Sequence, residues 1–183
     1  MQVRASFVRD FLLEASLDPR GTEILARLGD DVAARIREDT PVAFVDAADF
    51  EALLDAAFDV VGGEGVQAIG CRHLVRFRDN PILKTMIDAV VRVFGLSPQL
   101  LLKGVPRSRP SVLKDAGDVV WLRLDDNACR MQLRGFRPRN TRAAHANIAG
   151  AWLGAVHLCG KQGSVVVEPV GNDGDADFIV RWR

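Results

Sequence analysis

Apolar positions recur with helical spacing through the first hundred residues. Phe7, Val8, Phe11, Leu12 and Ala15 form one stripe, which Pro19 and Gly21 close. Thr22 is a candidate cap for a second helix, with Ile24, Leu25, Leu28, Val32 and Ile36 facing inward. Asp46 can cap a third, in which Phe50, Leu53, Leu54, Ala57 and Val61 make a face that Gly62 and Gly63 end. Val66, Ile69, Gly70, His73, Leu74 and Phe77 form a fourth stripe. Asn80-Pro81 opens a fifth, carrying Leu83, Met86, Ile87, Val90 and Phe94 up to Gly95, and Ser97-Pro98 starts a short sixth. The stretch KGVPRSRPSVLKDAG, rich in proline and glycine, reads as a loop.

The pattern changes at residues 119 to 136, VVWLRLDDNACRMQLRGF, where apolar and polar positions alternate on either side of Asp-Asp-Asn. A period of two is a strand signal, and Asp and Asn tolerate the positive φ of a tight turn. With Asp126 and Asn127 as a two-residue loop, Leu124 faces Cys129, Leu122 faces Met131 and Val120 faces Leu133. These six are expected on the buried face. Trp121, Arg123, Arg130 and Gln132 are expected on the wet face, with Arg123 opposite Arg130.

Helical spacing returns in AAHANIAGAWLGAVHLCG, where Ala144, Ile148, Ala151, Trp152, Ala155 and Cys159 are the stripe and Gly160 the stop. Gly150 and Gly154 lie one turn apart. Each costs about 1 kcal/mol relative to alanine within a helix, so close packing or a ligand should compensate, and packing is the commoner reason. SVVVEPV and ADFIVRW flank a Gly-Asn-Asp-Gly loop as a second hairpin, with Phe178, Val180 and Trp182 on one face. The expected architecture is α+β: a mainly helical part, residues 1–104, then a four-stranded antiparallel sheet in ββαββ order over 119–183, one face covered by helices. A single domain, 1–183, is expected from the length.

Formal net charge is zero, but it is unevenly spread. Residues 1–102 hold 11 Lys and Arg against 16 Asp and Glu, whereas residues 103–142 hold 10 against 4. The basic middle either neutralises the acidic front or offers Arg107, Arg109, Arg134, Arg137, Arg139 and Arg142 to nucleic acid. Phe136 and Trp121 are its only aromatics, thin material for stacking, so nucleic acid is not the expected partner. Cys71, Cys129 and Cys159 are odd in number and lack CxxC spacing, which suits small buried hydrophobes in a reducing compartment. The amino terminus, with Arg4, Arg9, Asp10 and Glu14, does not read as a signal peptide, and no apolar run approaches the roughly 18 residues of a membrane span. A soluble cytoplasmic protein is expected.

No reaction signature is present. GxSxG, HExxH, paired CxxC and the phosphate-binding glycine patterns are all missing. His73, His145 and His157 have no metal-ligand spacing; the last two are twelve positions apart on one helix, about 18 Å. His73 lies on an apolar stripe beside Phe77. It is either a haem or metal ligand or a core-edge histidine satisfied by a carbonyl, and the second is the expectation.

The carboxy-terminal half resembles the haem nitric-oxide/oxygen-binding sensor domains and the related 4-vinyl-reductase-type ligand-binding domains. In layout it is similar to a myxobacterial paralogous family of unassigned function. The residues that carry this are LRGFR (Leu133 to Arg137), IAGAWLGAVHLCG, VVVEPV and GDADFIVRW, with Gly174-Asp175 before the last strand. The haem sensors place a Tyr-x-Ser-x-Arg motif at the end of the second strand to hold the haem propionates. Here Leu133 and Gly135 replace Tyr and Ser, and Arg137 keeps its place. The haem histidine's segment corresponds to Ile87 to Val91, with Val91 at the histidine's position.

The resemblance implies a non-catalytic sensory or adaptor domain of bacterial signalling. It would take a small hydrophobic ligand between helices and sheet, or a protein partner, or both. Leu122, Cys129, Met131, Leu133, Trp152 and Cys159 are the expected pocket, and Arg137 an expected polar or anion contact. No cofactor and no metal are expected. The alternative is a haem- or metal-dependent gas sensor that uses His73 or His157 as a substitute ligand. A homodimer through helices or sheet edges is a further expectation.

Overall fold

The computed structural model describes residues 1–77, 96–171 and 174–183. The fifth stripe, Asn80 to Gly95, and with it Val91, lies outside the described residues.

Helix α1, Ala5–Ser16, buries Val8, Phe11, Leu12 and Ala15, four of the five residues in its stripe. The second stripe is two helices rather than one: α2, Gly21–Leu28, and α3, Asp30–Glu38. Gly29 separates them at φ 87°, a left-handed backbone that no side chain-bearing residue adopts cheaply. Thr22 therefore lies inside α2 and caps nothing.

The third and fourth stripes form α4, Ala48–Phe77, interrupted at Gly62 (φ 69°, ψ −175°). The Asp46 carboxylate accepts from the Ala48 N–H at 2.8 Å, satisfying a donor that the helix start leaves free. α1 to α4 enclose one core around Phe11, Ile24, Leu53, Val66 and Ile69.

Helix α5, Pro98–Ser108, is capped by Ser97, whose hydroxyl accepts from Leu100 N–H at 3.2 Å. It continues into the stretch expected to be a loop, as far as Ser108, and a 3-10 turn, Arg109–Ser111, follows it. Pro106 sits in the last turn, where it forfeits one hydrogen bond to the Leu102 carbonyl without ending the helix.

The described residues form two sheets, not one. β1 (Gln2–Arg4), β2 (Phe44–Asp46) and β3 (Leu113–Lys114) make a small antiparallel sheet in the order β2-β1-β3, with Val3 fully buried at its centre. Strands of two or three residues are too short to display a period, so the sequence pattern does not announce them.

The larger sheet comprises β4 (Asp118–Asp125), β5 (Ala128–Arg134), β6 (Gly163–Pro169) and β7 (Ala176–Trp182), antiparallel in the order β4-β5-β7-β6. Helix α6, Thr141–Leu158, joins β5 to β6 and covers the inner face, and Asn140 caps it by accepting from Ala143 N–H at 3.1 Å. Cys129, Met131, Leu133, Phe178 and Val180 project from that face into a second core with Trp152 and Val156.

The register of the first hairpin corrects the expected faces. Asp125 pairs with Ala128, as a two-residue turn requires, but Arg123 pairs with Cys129, so Leu124 is an extra residue on β4. One inserted residue flips everything before it to the opposite face. Trp121 thus pairs with Met131 and turns inward. Leu122 pairs with Arg130, not Met131, and Val120, Leu122 and Leu124 are 43–46% exposed.

On the outer face the buried Asp177 carboxylate accepts from Arg130 at 3.3 Å and from Arg134, which compensates its loss of water. Helices α4 and α6 meet along glycines. A Cβ on Gly154 would lie 2.8 Å from the Cys71 carbonyl oxygen, one on Gly70 2.7 Å from that of Asn147, and Gly150 packs onto the Gln67 carbonyl. Close packing is what compensates these glycines. Among the described residues no helix is long and apolar enough to cross a membrane.

Candidate functional site

The glycine seam holds α4 against α6. Between these helices, α5 and the sheet lies a cavity of about 460 Å³. Phe7 of α1 and Phe50, Leu54 and Leu74 of α4 form its helical wall. Val119 and Leu133 come from the sheet, Ile148, Ala151, Trp152 and Ala155 from α6, and Leu101 and Val105 from α5. Most of this wall is carbon, as expected of a site for an apolar or amphipathic molecule.

Asn140 and Asn147 line the cavity too, and the remaining polar side chains among the described residues lie at two places. Glu51 and Asp55 of α4 sit at one, and both are engaged by Arg139: Glu51 accepts from its backbone N–H at 3.3 Å and Asp55 lies 3.7 Å from its guanidinium. At the other are Ser108, Arg109 and Ser111, where α5 runs into the 3-10 turn. The Arg109 guanidinium is half-buried and donates to the Ala116 and Gly117 carbonyls. Burial pushes its pKa down, and Asp118 pushes it up by less.

Two of the six expected pocket residues, Leu133 and Trp152, line the cavity. Cys129 and Met131 are on the inner face but wholly buried in the core beside it. Burial pushes the Cys129 thiol up to about 11. Leu122 is on the far face of the sheet, a displacement caused by the Leu124 bulge. Cys159 closes α6, where its thiol donates to the Ala155 carbonyl at 3.4 Å.

Arg137 is directed elsewhere: it donates to Asp175 at 3.0 Å and to the Phe136 carbonyl at 2.9 Å and does not line the cavity. Gly174-Asp175 acts as a fastener for the same loop, since Asp175 also accepts from Phe136 N–H at 3.3 Å and the Gly174 carbonyl is bound by His145 at 2.8 Å. Two further arginines of the basic segment are engaged within the fold, Arg134 with Asp177 and Arg142 over the Phe58 ring at 5.2 Å.

No histidine or cysteine is among the described cavity residues. His73 is 2% exposed, with its ring 4.4 Å from that of Phe7 and 5.5 Å from that of Phe11. Burial lowers its pKa to about 3, opposed in part by a hydrogen bond with the Phe7 backbone, so it is neutral near pH 7. It lies behind Phe7 and away from the cavity surface. His157 Nδ1 is 3.3 Å from the Cys71 thiol. Among the described residues no group of three His, Cys, Asp or Glu side chains is placed to hold a metal ion.

Arg109 lines the cavity although the sequence offers it only as a member of the basic segment. Only the extension of α5 past Pro106 turns it inward, and no local pattern signals that.

No protein-family model matches the sequence, and no curated protein matches it either. Solved structures do. An iron(II) unliganded H-NOX protein from K. algicida is 13% identical over 98% of this chain and 96% of its own, with a TM-score of 0.69. An oxygen-binding H-NOX domain related to soluble guanylate cyclases, solved as its oxygen complex, is 12% identical over 98% and 95%, with a TM-score of 0.69. A structure concerned with haem distortion in the H-NOX family is 13% identical over 98% and 94%, with a TM-score of 0.67. Proteins with this fold thus include haem proteins, and the expectation that no cofactor is involved does not stand. At this level of identity the likeness is one of architecture, and the chain has the fold of an H-NOX domain.

Proposed function

We propose that this chain is a sensory ligand-binding domain that takes its ligand in the cavity between the helical wall and the layer of α6 and sheet. It would signal occupancy to a protein partner. The carrying observation is the cavity itself, about 460 Å³ of mainly apolar wall assembled from α1, α4, α5, α6 and the sheet. A ligand touching all five would couple their relative positions, which is the physical requirement for a shape change to be transmitted. The reading is of a sensor, since among the described residues the cavity wall carries no nucleophile paired with a base.

Haem is the first occupant to consider, because the oxygen-binding and haem-distortion structures share this fold. The wall suits the apolar body of a porphyrin, and Arg109 offers donors to its carboxylates. Iron is less well served. Proteins hold haem iron through His, Cys, Met or Tyr. Among the described cavity residues only the Met1 thioether belongs to that set, and the chain has no tyrosine. Residues 78–95 contain Met86 but no His or Cys. The residues present do not fit a haem held through a histidine unless His73 displaces Phe7. That donor set favours a second reading, an apolar or amphipathic organic ligand in the same space.

The experiment is reconstitution with haemin, alongside titration of the neutral apolar dye Nile red, on the wild type and on an Ala151→Trp variant that fills the cavity. Binding of either in the wild type, lost on Ala151→Trp, is expected. A Soret band lost on His73→Ala would identify the substitute ligand. Absence of binding by both probes would defeat the proposal.

A further inference from the structure

We propose that Arg109 is the anchor for the carboxylate of an apolar acid held in this cavity. The inference rests on the cavity being the ligand site and goes on to name the ligand's chemistry. Arg109 is the one cationic side chain among the described cavity residues, and the acid whose charge acts on it, Asp118, is neither within salt-bridge distance nor part of the described cavity wall. The cavity's own acids, Glu51 and Asp55, are engaged by Arg139.

A guanidinium carries five N–H donors in a planar fork. Arg109 spends donors on the Ala116 and Gly117 carbonyls, which hold the fork in place, and others remain. The neighbouring Ser108 and Ser111 hydroxyls donate to backbone carbonyls, at 3.3 and 2.6 Å. They compete little for an incoming anion. Beyond Arg109 the wall is Val105, Leu101, Val119 and Leu133, all carbon. A cation held rigid at the rim of an apolar chamber matches a molecule with one acidic head and a hydrocarbon body. In a half-buried position such a charge-assisted contact is stronger than at a free surface.

Two sources share that chemistry, a fatty acid and the propionate of a porphyrin, and paired probes separate them. Lauric acid is compared with dodecan-1-ol, and protoporphyrin IX with its dimethyl ester, by displacement of Nile red from the full chain. The acid of at least one pair is expected to bind about tenfold or more tighter than its neutral partner. In Arg109→Met that preference should vanish while the neutral compound binds within about twofold of wild type. If Arg109→Met loses the neutral compound as well, Arg109→Gln, which can still donate to the Ala116 carbonyl, is judged by the same criterion.

The pair that shows the preference identifies the source. Equal binding of acid and neutral compound in both pairs, or a preference that survives in the variant, overturns the inference and leaves the cavity reading intact. Binding of none of the four removes the cavity reading beneath it.

Discussion

Trp121 lies opposite Met131 across the first hairpin, and both side chains turn toward α6. The Asp126-Asn127 turn alone would set Leu122 there. The bulge at Leu124 exchanges the faces of the whole of β4, so that an indole, with Lys103 stacked 5.7 Å from its ring, takes the place of an aliphatic residue beside α5.

That exchange predicts opposite outcomes for two alanine substitutions. Met131→Ala, at a fully buried position, should cost about 2–5 kcal/mol. Leu122→Ala, on the exposed face, should stay within about 0.5 kcal/mol of wild type. Urea denaturation of both variants measures the difference. Similar losses for the two would mean the bulge is absent in solution.

Gly150→Ala should destabilise the chain even though alanine favours helix by about 1 kcal/mol. The added methyl meets the Gln67 carbonyl across the α4–α6 seam, and overpacking of this kind costs about 1–3 kcal/mol before the helix gain offsets part of it. Gly160→Ala tests the other use of glycine. No atom crowds that position, but its φ of 68° penalises any side chain, so a loss there reflects backbone strain and not packing. Thermal melts of the two variants, each with a control substitution nearby, check both.

His73 should make stability depend on acid. Its folded pKa is lowered to about 3 from an ordinary value of 6.5. Between those values the unfolded chain binds the proton and the folded chain does not, so stability rises with pH across the window and is lost as pH falls. The slope from this one group is up to about 1.4 kcal/mol per pH unit. His73→Leu should flatten the stability profile between pH 6.5 and 3 relative to wild type. An unchanged profile would mean that the imidazole is not buried neutral.

Filling the cavity should separate stability from binding. Ala151→Leu places three more carbons in open space, and cavity-filling of this kind commonly adds about 0.5–2 kcal/mol. The expected variant melts at or above the wild-type temperature and no longer takes up Nile red. A variant that still binds the dye would place the binding site elsewhere.

Much of this protein follows from sequence period alone. The stripes of α1, α4 and α6, the Ser97 cap and the pairing of Phe178 and Val180 with the inner face are local consequences of where carbon and charge fall along the chain. These features depend on residues three, four or two positions apart, and the sequence displays those intervals directly. What the period could not settle is anything that a single inserted residue or a distant partner controls. Gly29 split one stripe into two helices, and Leu124 reversed a strand. The small sheet exists only because Gln2–Arg4 finds partners forty and a hundred and ten residues away. The candidate site belongs largely to this second kind. Of its expected residues, Leu133 and Trp152 reach the cavity, whereas Arg137 was diverted by Asp175 and Arg109 was turned inward by a helix that outlasted its proline. A cavity is the space between layers, and tertiary packing alone decides which side chains border it.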